Sequence, residues 1–156
     1  MIDISRTIPI NDGIQPALTV DDVWAGLVEK AENPLPYVAA ISACSVVERF
    51  EGGLIRDIEH VGPVREVVTF YPKKLVHFVR THGAARGTID NEICLDEAGN
   101  DVLKFSFRLV VDGIAEGSAE EAAFGEQMQS DYLDAVHTTL QAVRDRIANP
   151  SAPTVS

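Results

Sequence analysis

The strongest constraint on the fold is a long amphipathic stretch near the C-terminus, residues 119–148. Ser118 and Glu121 form a capping-box pattern ahead of it, and Asn149-Pro150 ends it because proline cannot continue the hydrogen-bond ladder. As a helix the stretch is about 45 Å long. Its apolar side chains form one stripe: Phe124, Met128, Tyr132, Val136, Leu140, Val143 and Ile147. Such a helix needs one long apolar partner surface, and only a sheet offers enough area.

Residues 41–111 supply that sheet, because their apolar residues recur with period two. Turn signals divide the region into six predicted strands: 41–51, 54–61, 64–71, 75–82, 87–95 and 102–111. The connections are too short for parallel crossovers, which need about 10 residues or more. The six strands are therefore predicted to form an antiparallel meander.

The first 40 residues add one strand and two short helices. Partial alternation over residues 2–10 predicts the strand, and Thr19 with Asp22 predicts a capped helix that ends at Asn33-Pro34. Residues 34–40 are predicted to hold a second short helix, since proline suits a first turn. We therefore expect an α+β protein: a curved seven-stranded antiparallel sheet wrapped around the C-terminal helix, with two short helices between strands 1 and 2. The predicted domain is 1–149, followed by a flexible tail, 150–156.

Composition narrows the class of partner. The hydrophobic fraction is 46%, and the net charge of −11 argues against nucleic acid and anionic membranes as general partners. No apolar run approaches the roughly 20 residues of a membrane span. The first residues lack the basic and apolar regions of a secretory signal, so we expect a cytoplasmic protein. Cys44 and Cys94 are expected to be buried, reduced thiols.

Several segments resemble one family within this architecture: residues 7–11, 23–27, 30–34, 54–58 and 65–72, the last reading Arg-Glu-Val-Val-Thr-Phe-Tyr-Pro. The chain resembles the AtaL-like family of the START / birch-pollen-allergen helix-grip (SRPBCC) superfamily over roughly residues 2–148. The resemblance implies the helix-grip fold and an internal pocket for an apolar or amphipathic small molecule. It carries no settled catalytic residues that could be transferred, and no cofactor is expected.

The candidate ligand-binding residues are polar groups that alternate with apolar ones. Arg56 and Glu66 lie in neighbouring strands and are predicted to pair across them, as a pocket anchor or as a structural ion pair. Asn91 lies among apolar residues of its strand and either orients a ligand or satisfies the backbone. Tyr132 is on the stripe of the long helix and needs a partner for its hydroxyl if buried.

Phe105 and Phe107 are expected in the core first and in the pocket wall second. His77 alternates with Leu75 and Val79 and is expected to face inward, as a structural or a catalytic histidine. The histidines show no metal-ligand spacing, and the chain has no nucleophile elbow, phosphate loop or dinucleotide fingerprint. These absences disfavour hydrolase, kinase and dehydrogenase functions.

One segment between Glu66 and Asp90 contains only basic charges: Lys73, Lys74, Arg80 and Arg86, with His77 and His82. It is predicted to attract an anionic ligand headgroup or an acidic carrier protein, or else to be an edge hairpin that basic residues keep unpaired.

The sequence thus predicts a protein that binds a hydrophobic or aromatic small molecule in a cavity between sheet and long helix. The alternative is an enzyme of the polyketide cyclase or aromatase type acting on a carrier-bound or free aromatic precursor. A third possibility is a homodimer formed through an exposed sheet edge.

Overall fold

A computed structural model describes residues 1–149 of the chain, so the tail predicted for 150–156 lies outside the described residues. The elements in chain order are β1 (Ile2–Pro9), α1 (Val20–Glu32), β2 (Ala43–Phe50), β3 (Gly53–Glu59), β4 (Pro63–Tyr71), β5 (Leu75–His82), β6 (Ala85–Leu95), β7 (Asp101–Val111) and α2 (Ala119–Ala148). The six meander strands lie within two residues of their predicted bounds, and α2 has the predicted bounds.

The strands form one antiparallel sheet in the order β1-β7-β6-β5-β4-β3-β2. Strands β2 to β7 are the predicted meander, and β1 pairs with β7 at the far edge, with Ile2 opposite Leu109. The concave face packs on α2 through the core residues Leu103, Phe105, Phe107, Leu109, Met128, Tyr132, Val136 and Leu140. The predicted α+β helix-grip architecture is confirmed.

Both helices begin at the predicted caps. Asp22 N donates to Thr19 Oγ1 at 3.1 Å and Thr19 N donates to Asp22 Oδ2 at 2.8 Å, so α1 has a complete capping box. Ser118 Oγ accepts from Glu121 N at 3.2 Å at the start of α2. No helix within residues 1–149 is long and apolar enough to cross a membrane.

The second short helix predicted for residues 34–40 is wrong, because the structure has only turns there. Tyr37 N and Val38 N both donate to Pro34 O at 2.9 Å, which closes a single turn. Pro36 has no N–H group, and Ile41 N donates to Val38 O, so no helical ladder continues. The result is an irregular closing segment, residues 33–42, which joins α1 to β2 and covers the sheet interior.

The two helices touch closely at Gly26. A Cβ atom at this position would lie 2.5 Å from Val143 Cγ2 of α2, so any side chain here would force Val143 or one of the helices to shift. Glycine therefore sets how near α1 comes to α2, and α1 in turn holds the closing segment over the sheet.

Candidate functional site

A carboxylate with two guanidinium partners lies at the centre of the concave face. Glu66 on β4 is 1% exposed and stands opposite Arg56 on β3 in the strand register. Arg56 Nε and Nη2 donate to Glu66 Oε1 at 2.9 and 2.7 Å. Arg80 Nε on β5 donates to Glu66 Oε2 at 2.8 Å. The predicted pair is therefore one of the two ion pairs in a buried triad, and both carboxylate oxygens of Glu66 are occupied.

The remaining N–H groups of the two guanidinium side chains join the triad to other elements. Arg56 Nη1 donates at 2.8 Å to the carbonyl of Ala31, in the last turn of α1. Arg80 Nη2 donates to the Tyr132 hydroxyl at 3.2 Å and lies 3.1 Å from His60 Nδ1. The triad therefore connects three strands to both helices and to the turn after β3.

A third cation lies beside the triad. Lys30 on α1 is 4% exposed, and its Nζ donates to Asn91 Oδ1 on β6 at 2.5 Å. The ammonium group lies 6.0 Å from the centre of the Phe78 ring, and the Arg56 guanidinium lies 5.1 Å from the same ring. The cluster therefore groups three basic side chains with one carboxylate in the protein interior.

The environment shifts the pKa values of these groups in different directions. Burial, followed by the charge of Arg56, lowers the pKa of Lys30 from 10.5 to about 7. Burial alone would raise the pKa of Glu66, but the charges of Arg56 and Arg80 outweigh it, and the pKa is lowered. Burial and the Arg80 charge lower the pKa of His60. At neutral pH Glu66 is ionised, and Lys30 is poised between its charged and neutral forms.

A cavity touches this cluster, but it is small. Its walls are Lys30, Pro34, Val38, Ile41, Arg56, Glu66, Phe78, Ile89 and Tyr132. Its volume is about 10 Å³, roughly enough space for a single water molecule. Within residues 1–149 this cavity is therefore far smaller than the expected hollow between sheet and helix, since the closing segment and α2 pack against the sheet.

The structure brings together four of the seven predicted site residues. Arg56, Glu66 and Tyr132 line the cavity, and Asn91 holds Lys30 at its side. Phe105 and Phe107 are both 1% exposed and belong to the core without lining the cavity. Phe107 reaches the cluster only indirectly, through its ring contact with Tyr132 at 5.8 Å between centroids.

The expectation that His77 faces inward is wrong. Val76, Phe78 and Arg80 form the buried face of β5, so His77 points to the outer face and is 31% exposed. There its Nδ1 lies 2.5 Å from Asp90 Oδ1. Both faces of β5 carry apolar residues, so alternation alone did not distinguish them.

The predicted basic segment is not a sheet edge, because β5 lies between β4 and β6. Arg80 is buried, Lys73 Nζ lies 3.1 Å from Asp21 Oδ1, and Arg86 Nη2 lies 2.6 Å from Asp112 Oδ1. Most of its charge is thus paired, and the edge-hairpin interpretation is wrong.

Sequence reasoning missed Lys30 as a site residue, assigned Arg80 to the surface and gave His60 no role. The signals were present: Lys30 follows Leu27 by three positions on the buried stripe of α1, and Arg80 continues the buried alternation of Val76 and Phe78. A charged residue at an apolar position of a predicted element is the pattern that would have found both.

A wider groove lies outside, between the start of the β1–α1 connection and the second half of α2. Its volume is about 460 Å³, and its walls include Asp12, Ile14, Arg144 and Asp145. Arg144 is buried and donates through Nη2 to the Ile10 carbonyl. The groove is more open than the inner cavity, and two carboxylates flank it.

A curved sheet closed over a long C-terminal helix, with a polar cluster between them, defines a helix-grip domain. The chain belongs to the AtaL family, described as acetylaranotin biosynthesis cluster protein L, whose profile matches residues 4–149. The predicted family is therefore confirmed. A search of curated proteins found no match.

Solved structures share the fold at low sequence identity. The di-domain ARO/CYC StfQ of the steffimycin pathway has a TM-score of 0.71 and 13% identity, over 95% of this chain and 52% of that one. The Zhui aromatase/cyclase of Streptomyces sp. R1128 has a TM-score of 0.67 and 13% identity, over 93% and 94%. Ara h 8.0201 has a TM-score of 0.61 and 12% identity, over 90% and 96%. This chain spans about half the length of StfQ.

Proposed function

We propose that the protein binds a hydrophobic or aromatic small molecule between the sheet and α2, at the cavity beside Glu66. The observation that carries this proposal is the buried charged cluster at an apolar-walled cavity. Buried ion pairs are seldom more stabilising than apolar residues of the same size, so stability alone does not account for this arrangement. Titratable groups with shifted pKa values beside a cavity are typical of a functional site.

Ligand entry requires the closing segment to move. Small-molecule pockets commonly measure about 300–1,000 Å³, whereas this cavity measures about 10 Å³. Pro34, Val38 and Ile41 of the closing segment form one wall, and the segment is held by turns rather than by a helix or strand. It is therefore the wall that can open with the fewest broken hydrogen bonds.

Fluorescence titration with N-phenyl-1-naphthylamine tests this proposal, because the dye brightens in an apolar site. We expect saturable binding at one dye per chain. Val38→Ala removes two methyl groups from the cavity wall and should raise the association rate several-fold. Leu35→Ala is the matched control, since Leu35 is exposed on the same segment and does not line the cavity.

Two results would contradict the proposal. One is no dye binding by the wild-type protein. The other is a pair of observations: Val38→Ala leaves the association rate of the dye unchanged, and Ile14→Ala lowers the affinity for the dye. Together they would place the dye in the outer groove.

Cyclase chemistry is the second candidate function. It is supported by three groups able to exchange protons that lie in or beside the cluster: Lys30, His60 and Tyr132. It is also supported by the fold shared with proteins described as aromatase/cyclases. A cyclase would accelerate aromatic product formation from a linear poly-β-ketone thioester, followed by absorbance. A pure binding protein would retain the compound unchanged in native mass spectrometry. Pairing with a carrier protein and dimerisation through a sheet edge stay predictions.

A further inference from the structure

Lys30 is the cation of the cluster that lacks a carboxylate partner among residues 1–149. Both oxygens of Glu66 are taken by guanidinium groups, Oε1 by Arg56 and Oε2 by Arg80. The hydrogen bond from Lys30 Nζ goes to the neutral amide oxygen of Asn91. Lys30 also lines the cavity, next to Phe78 and Ile89. The Lys30 ammonium group therefore borders the cavity and has no counter-ion of its own among residues 1–149.

Asn91 supplies a second, independent observation. Its side chain is 1% exposed, and its Nδ2 has no hydrogen-bond acceptor within residues 1–149. A buried donor left without an acceptor destabilises the folded protein, so such groups are rare and usually explained by a missing partner. The unmatched charge and the unmatched donor belong to two side chains that are hydrogen-bonded to each other.

One kind of group satisfies both. On the basis of the proposed function, we infer that the ligand is an aromatic carboxylate whose anionic oxygens accept hydrogen bonds from Lys30 Nζ and Asn91 Nδ2. A carboxylate has two acceptor oxygens for the two donors and is ionised at neutral pH, whereas a phenol, with a pKa near 10, is largely neutral. The apolar body of the ligand then lies against Phe78 and Ile89.

Proton uptake should accompany binding. The titratable groups that share the cavity with Lys30 are Arg56 on β3, Glu66 on β4 and Tyr132 on α2. Arg80 on β5 lies on the other side of Glu66, with His60 behind it. The pKa of Lys30 lies at about 7 because of burial and the Arg56 charge. An anion beside Lys30 favours its charged form, so binding at pH 8.5 should draw close to one proton from buffer, and binding at pH 6 far less.

The test compares 2-naphthoate with 2-naphthamide by isothermal titration calorimetry, because the two compounds share shape and differ in charge. The wild-type protein should bind the carboxylate at least tenfold more tightly. Lys30→Met should abolish that preference, and Lys30→Arg should retain part of it. Lys104→Met is the control, because Lys104 lies on the outer face of β7 and the substitution removes the same charge away from the cavity.

Asn91→Asp provides a second variant that keeps size and shape. It removes the Nδ2 donor and places a carboxylate beside Lys30, so it should weaken naphthoate binding much more than naphthamide binding and remove the preference for the anion. Circular dichroism and melting curves of every variant establish folding, and titrations in buffers of different ionisation enthalpy measure the proton uptake.

The outcomes separate the inference from the proposed function. If the wild-type protein binds both compounds equally, or binds N-phenyl-1-naphthylamine but neither compound, the carboxylate inference is overturned and the apolar site stands. A preference that survives Lys30→Met also overturns it. If no aromatic probe binds, the proposed function itself fails.

Discussion

Replacing Lys30 by Met should flatten the dependence of stability on pH. The folded protein holds the pKa of Lys30 at about 7 through burial and the Arg56 charge, whereas the unfolded chain has the ordinary value of 10.5. Below pH 7 the folded protein must bury a charged ammonium group, which is destabilising. As pH rises from 7 to 10.5 the unfolded chain binds more protons at this site than the folded protein does. Stability therefore increases across this window.

The size of the effect follows from these two pKa values. Each pKa unit corresponds to about 1.36 kcal/mol. Lys30 lowers the free energy of unfolding by about 4 kcal/mol at pH 7, and by about 1 kcal/mol at pH 10, where the unfolded lysine is also losing its proton. The wild-type protein should thus gain about 3 kcal/mol from this residue between pH 7 and pH 10.

Urea unfolding at pH 7, 8.5 and 10 measures the effect. Other groups titrate in this range, so the informative quantity is the difference in unfolding free energy between the wild-type protein and Lys30→Met at each pH. That difference should change by about 3 kcal/mol in favour of the wild type. Lys104→Met, on the outer face, should follow the wild-type curve. Parallel curves for wild type and Lys30→Met would refute the reasoning, since they would mean that Lys30 titrates normally in the folded protein.

Two further substitutions test the packing of the site. Glu66→Gln leaves Arg56 and Arg80 buried without their counter-charge, so the free energy of unfolding should fall by about 3–5 kcal/mol in urea titrations near neutral pH; a loss under 1 kcal/mol would show that solvent reaches the triad. Gly26→Ala places a methyl group 2.5 Å from Val143 Cγ2, and the overpacking should cost about 1–3 kcal/mol by thermal unfolding, an effect that Gly26→Ala combined with Val143→Ala should partly reverse.

Much of the fold could be predicted because its signals are local. Helix α2 begins at the Ser118 cap and ends before Asn149, and each feature acts within a few residues of the boundary that it sets. The strands follow from alternation between turns. The second short helix failed for an equally local reason: one turn formed at Pro34, but the hydrogen bonds needed to extend it were missing.

The site was less predictable, because its contacts join distant parts of the chain. Arg56 and Glu66 are ten residues apart in one hairpin, so their pairing followed from strand register. Lys30 and Asn91 are 61 residues apart, and only the packing of α1 across the sheet brings them together. His77 shows a similar limit within one strand. Both faces of β5 carry apolar residues, so long-range contacts, such as the pairing of Arg80 with Glu66, decide which face turns inward.

The position of the cluster links ligand recognition to opening of the site. Lys30 lies in the last turn of α1, and Arg56 donates to the neighbouring Ala31 carbonyl, where positive charge is favoured at a helix C-terminus. The closing segment starts within a few residues of both contacts. Any movement of that segment large enough to admit an aromatic molecule therefore acts on the helix end that carries the ammonium group. Binding an anion at Lys30 and displacing Pro34, Val38 and Ile41 are expected to be coupled steps, since the same short stretch of chain makes both sets of contacts.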